Sequence, residues 1–146
     1  MTCTAFFYTT IMKLGISEHE IYLVGQYRYT TDTYSWEVIA GGGDDGEAPL
    51  ETAKRELKEE AGIAAEQWIT LYENIQMSNC YTSEIGHIFL AQGLSFSEAC
   101  PDDTEELAIR KIPLAEAIEL VDSGEITDAF SIIAILCTER WVRANA

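Results

Sequence analysis

A mixed β-sheet with helices on both faces, an α/β (α+β) fold, is what this 146-residue sequence predicts, and three observations predict it. Aromatic and β-branched runs fill the first forty residues, one apolar stripe of helical period occupies the middle, and two further helical segments close the chain. The strands come first and do not alternate regularly with helices, which sets the pattern apart from a βαβ repeat.

Residues 5–14 and 21–29 are rich in strand-forming types and are separated by the polar ISEHE, so they read as two antiparallel strands. SWEVIA, residues 35–40, is a third. GGGDDGEAP, residues 41–49, reads as a loop, because three consecutive glycines and the following Asp-Asp-Gly cannot sustain a regular element. Residues 50–61 form a helix in which Leu50, Ala53, Leu57 and Ala61 make one apolar stripe, and Gly62 ends it. Residues 68–77 and 85–94 are strands around the polar turn SNCYTSE, and residues 107–112 are a short one. Pro113 opens a helix with Leu114, Ala117, Ile118 and Val121 on one face, and Gly124 stops it. Asp128 is placed to cap a last helix running through Trp141. No repeat or linker interrupts residues 1–146, so one domain is expected.

Charge and cysteine usage exclude several functions. Twenty-five acidic side chains against nine basic ones give a formal charge of −16, which repels nucleic acid and anionic membrane surfaces. A phosphate-containing substrate would need cations between it and the carboxylates, so the composition leans toward a divalent metal. Cys3, Cys80, Cys100 and Cys137 show no metal-binding or disulfide spacing and read as free thiols in a reducing cytoplasm. The opening AFFYTTIM lacks the basic flank of a signal peptide, and the longest apolar run, FSIIAILC, is too short to span a bilayer. A soluble cytoplasmic protein is expected.

The densest charge lies in GGGDDGEAPLETAKRELKEEAGI, residues 41–63, which holds Glu47, Glu51, Glu56, Glu59 and Glu60. On a helix Glu56 and Glu60 stand one turn apart with Glu59 beside both, on a stripe expected opposite Leu50, Ala53 and Leu57. Such a helix is ordinarily just a solvated face. Like charges four apart nonetheless cost roughly 0.2–0.5 kcal/mol per pair, and converging carboxylates are the hard oxygen ligands that Mg²⁺ or Mn²⁺ takes.

Spacing decides between the two readings. Gly41, Glu47, Arg55, Glu56, Leu57, Glu59, Glu60, Gly62 and Ile63 follow one fixed pattern that arises by chance on the order of once per billion starting points. It resembles the Nudix box, with every fixed position filled. The resemblance implies a Nudix fold, an α/β/α sandwich around a mixed sheet, and hydrolysis of a nucleoside diphosphate linked to another group. By position it implies Glu56 and Glu60 as the main ligands of Mg²⁺ (or Mn²⁺), Glu59 as a third carboxylate on the same ions, and the carbonyl of Ala40 as a further ligand. Gly41, Glu47 and Gly62 are structural in the motif, with Glu47 and Arg55 joined as an ion pair.

The flanking sequence resembles the ADP-ribose pyrophosphatase and nucleotide-sugar hydrolase group, from QYRYTTDTYSWE at residues 26–37 through VDSGEITDAFSIIAIL. That resemblance implies that Arg28, with Glu37 in the same segment, serves substrate binding, Arg28 at the diphosphate or terminal ribose. It implies a general base in the acidic PDDTEEL, with Asp103 first and Glu105 second, or else Glu59 itself. It also implies a homodimer whose partner completes the base pocket, the aromatic start Phe6, Phe7, Tyr8 and Ile11 being the surface to cover. The rivals are hydrolysis of a dinucleotide or an oxidised nucleoside triphosphate, and a nucleotide sensor without turnover.

Overall fold

The computed structural model describes residues 5–13, 19–97 and 107–146. Its elements in chain order are β1 (Ala5–Lys13), β2 (Glu20–Arg28), β3 (Thr33–Glu37), β4 (Ile39–Gly42), α1 (Pro49–Ala61), β5 (Ile63–Gln76), β6 (Ile85–Phe96), β7 (Ala108–Pro113), α2 (Leu114–Asp122) and α3 (Ala129–Asn145). Asp103, Glu105, Cys3, Cys100 and the side chains of Phe6, Phe7, Tyr8 and Ile11 lie outside the described residues.

The strands make one mixed sheet in the order β3-β2-β1-β6-β5, with β4 also on β1 and β7 also on β2. Only β1 and β6 run parallel; the other pairs among the described residues are antiparallel. Alternation along β2 shows how the layers form. Ile21 and Leu23 point to the side covered by α2 and α3, where they pack with Val38, Ile88, Ile112 and Phe130. Tyr22 and Val24 point to the other side and pack with Ile39, Leu57 and Ile63 under α1. The result is the expected α/β/α sandwich.

Several boundaries differ from the sequence reading, most of them where strand pairing decides. SWEVIA is not one strand but the end of β3 and the start of β4, because the chain changes partners within it: Glu37 is the last residue paired with β2, and Ile39 the first paired with β1. The glycine loop starts later than expected, since Gly41 and Gly42 continue β4 opposite Phe7 and Phe6. β5 begins at Ile63, directly after the helix, because its first residues pair with the far end of β6, Ile63 with Phe96. α3 runs on past Trp141 to Asn145.

The helix ends follow from their residues. Pro49 stands in the first turn of α1, and Gly62 closes it in the left-handed region at φ 63°, its N–H on the Lys58 carbonyl at 3.0 Å. Pro113 precedes α2 as its N-cap rather than entering it. Asp128 caps α3 by accepting from the Ser131 N–H at 2.7 Å.

Candidate active site

The site is built where α1 lies against β4. Along α1, Ala53, Leu57 and Ala61 are buried, and so is Glu60, at 7% exposure. The carboxylate stripe therefore does not stand opposite the apolar one, as the sequence suggested. At 100° per residue Glu60 lies roughly 60° from Leu57 and Glu56 roughly 100°, on the flank that meets β4, and only Glu59 faces away. A carboxylate on that flank is partly desolvated and needs cationic partners.

Arg55 is the hub of the cluster. Its Nε and Nη2 donate to the two oxygens of Glu47, each at 3.2 Å, and Nη2 also reaches the Gly42 carbonyl at 3.0 Å. Its Nη1 donates to Glu56 and Glu59, both at 2.9 Å. Glu47 is held from its other side by the Asp44 N–H at 3.2 Å. This hydrogen bonding from Arg55 above all, with Thr52 next, draws the Glu47 carboxyl down to about 2. The guanidinium is in turn pushed up, first by Glu47 and then by Glu59 and Glu56. One arginine thus ties the loop to the helix.

Gly41 matters for space. A Cβ there would meet the Glu56 carboxyl carbon at 1.9 Å, so the Glu56 head group lies directly on the β4 backbone beside Ala40. The donor set therefore fits a hard divalent cation: carboxylates at positions 56, 59 and 60 on adjacent faces of one helix, one of them in a backbone cradle that any larger residue would fill. Among the described residues no three acidic, histidine or cysteine side chains are already placed to hold a metal ion. Glu56 and Glu59 are both turned toward Arg55.

Arg28 and Glu37 form a second charged element beside this one. Arg28 Nε donates to Glu37 Oε1 at 2.9 Å and Nη2 to Oε2 at 2.5 Å, a two-pronged pair with the Glu37 side chain 9% exposed. Glu37 raises the Arg28 pKa most, burial opposes it, and the charges of Glu37, Asp128 and Glu60 add to the rise. The arginine accordingly feels both the α1 carboxylates and the start of α3. The sequence reading did not assign a part here to Ser131. Its side chain is fully buried, accepts a hydrogen bond from the Val38 N–H at 3.1 Å and donates to Asp128 at 2.7 Å. The only trace in the sequence is a hydroxyl three residues after a capping aspartate.

Among the described residues no helix is long and apolar enough to cross a membrane. The NUDIX domain family matches residues 13–130. The chain is 29% identical over 135 residues to the ADP compounds hydrolase NudE of Escherichia coli K12, covering 92% of this chain and 72% of that protein. It is 36% identical over 120 residues to the ADP-ribose pyrophosphatase of Bacillus subtilis 168, covering 81% of this chain and 64% of that one. A crystal structure of an ADP compounds hydrolase superposes with a TM-score of 0.84 at 26% identity, over 99% of this chain and 76% of the other. The chain thus spans about two thirds to three quarters of the length of these relatives.

Proposed function

The chain belongs to the NUDIX family of hydrolases, which act on pyrophosphate bonds, and on that premise we propose that its substrate is ADP-ribose or a related nucleotide sugar. The products are a nucleoside monophosphate and a sugar phosphate. The observation that carries the reading is the flank of α1, where Glu56 lies on the bare backbone of Gly41 one turn from the buried Glu60. In this reading Glu56, Glu60 and Glu59, with the Ala40 carbonyl, hold divalent cations, Mg²⁺ first and Mn²⁺ as the substitute. Such a cation supplies charge neutralisation on the bridging and leaving oxygens of a diphosphate.

The chain's own residues do the rest. Arg55, anchored on Glu47, keeps the helix and its preceding loop together and balances Glu56 and Glu59 until ligands arrive. Arg28, oriented by Glu37, offers its remaining N–H donors to the diphosphate or the terminal ribose. Asp103 or Glu105, or else Glu59, takes the proton from the attacking water, assistance that contributes about 10²- to 10⁴-fold. The protein acts in the cytoplasm as one domain and as a homodimer. Light scattering tests the last point: a species of 16.3 kDa that is fully active would refute it.

The deciding experiment is a substrate panel of ADP-ribose, other nucleotide sugars, dinucleotides and oxidised nucleoside triphosphates, with Mg²⁺ or Mn²⁺, read as phosphate released by a coupled phosphatase. ADP-ribose or another nucleotide sugar should give the highest kcat/KM, and EDTA should abolish it. A triphosphate or dinucleotide turned over faster would overturn the substrate assignment.

A further inference from the structure

The partner switch between β3 and β4 leaves a buried backbone group to satisfy. Val38 belongs to neither ladder: Glu37 is the last residue on β2 and Ile39 the first on β1. Its N–H is inside the protein, with the residue fully buried, and must find an acceptor other than a strand. That acceptor is the Ser131 hydroxyl at 3.1 Å. The hydroxyl proton goes to Asp128 Oδ2 at 2.7 Å, and the same oxygen takes the Ser131 N–H, also at 2.7 Å. The serine is thereby fixed in orientation from both sides.

The neighbouring residue fixes α3 itself. Phe130 is fully buried with its ring over Gly86 of β6, where a Cβ would meet Cε1 at 2.1 Å. Two adjacent residues therefore lock the first turn of α3 to the sheet, one through packing and one through a hydrogen bond to the switch point. What lies on either side of Val38 is the site. Glu37 precedes it and holds Arg28; Ile39, Ala40 and Gly41 follow it and carry the surface on which Glu56 rests.

We propose that Ser131, oriented by Asp128, is a positioning residue whose hydroxyl holds the β3–β4 junction at Val38 so that Glu37 stays on Arg28 and Gly41 stays under Glu56. The inference rests on the reading of that site given above. A displacement of the junction by a fraction of an ångström moves both charged elements together, which is how a group that touches no substrate alters turnover.

The test uses the full chain with Ser131→Ala, Ser131→Thr and, as a control, Thr138→Val. Thr138 is fully buried two turns further along α3, and its hydroxyl donates to the Ala134 carbonyl of its own helix. Two readouts are taken at a temperature where every variant is fully folded: steady-state hydrolysis of ADP-ribose, and the NMR signal of the Arg28 Nε–H, which reports the Glu37 contact without substrate. Ser131→Ala should lower kcat at least tenfold with a smaller change in KM, and should speed exchange of the Arg28 Nε–H. Ser131→Thr, which keeps the hydroxyl, should stay within about threefold of the parent. Thr138→Val should change neither readout. An Arg28 signal unaltered by Ser131→Ala overturns the proposal, as does a loosened signal with kcat unchanged in an active parent. If the parent does not hydrolyse ADP-ribose, the substrate assignment fails separately, and the Arg28 signal alone decides whether Ser131 positions the site.

Discussion

The two helices that meet the β3–β4 run do so with opposite chemistry. α1 comes to β4 with charge: Arg55 shared among three carboxylates, about a third of its side chain still exposed, and Glu56 laid on Gly41. α3 comes to Val38 with a fully buried neutral hydroxyl and a buried aromatic ring. The first contact gathers like charges around one guanidinium, an arrangement whose strength depends on salt and pH. The second reaches the backbone through a neutral hydroxyl, itself held by the Asp128 carboxylate. On the proposed reading, the surface that receives a metal and an anionic substrate and the contact that holds the backbone beneath it fall on different helices.

The largest effect expected from breaking the charged side is Glu60→Gln. The substitution is nearly isosteric, so the fold should survive by circular dichroism, while turnover falls by about 10³-fold or more because a ligand loses its charge. Near-normal activity at saturating Mg²⁺ would remove Glu60 from the ligand set. Next in size is the response to the cation. An ion that binds only the native carboxylates adds RT ln(1 + [L]/Kd), about 2.7 kcal/mol at a hundred times Kd. Tm should rise with Mg²⁺ and not with NaCl of equal ionic strength. Equal shifts would mean screening alone.

The neutral side should break differently. Gly86→Ala inserts a methyl group into the Phe130 ring, and overpacking of this kind costs about 1–3 kcal/mol. The urea midpoint should fall by a matching amount, yet the extra stability conferred by Mg²⁺ should equal that of the parent. A reduced Mg²⁺ increment would show that packing at Phe130 is coupled to the carboxylates.

The charged side was the legible one. Its residues lie in one short stretch, Glu47 in a loop and the others on the helix that follows, and their spacing is a sequence property, so Glu47, Arg55, Glu56 and Glu60 could be named before any fold was known. The depth of Glu60 could not, because it depends on which flank of α1 meets β4. The neutral side was nearly invisible. Asp128 reads as a cap, but Ser131 reaches Val38 across 93 residues of chain, and nothing local marks a serine in a helical first turn as an acceptor for a strand. The break within SWEVIA was hidden for the same reason. Its β-forming residues are continuous, and only the change from β2 to β1 as partner divides them.

The smallest effect concerns pH and the charged side. Hydrogen bonds from Arg55 hold the Glu47 carboxyl at about 2, against an ordinary value of 4.5. A carboxyl depressed by folding contributes stability that is fully present above 4.5 and is lost as pH falls toward 2. Glu47 keeps about 20% of its side chain in contact with solvent, so its share is modest and screened by salt. Glu47→Gln should therefore lower stability at pH 7 slightly and flatten the decline between pH 4.5 and 2, as followed by urea midpoints at each pH. Ser131→Ala removes both the acceptor of the Val38 N–H and the donor to Asp128, so it should lower stability already at pH 7, where the loss of Glu47→Gln is slight. If Glu47→Gln left the acid limb as steep as in the parent, the Glu47–Arg55 pair would carry no proton-linked stability.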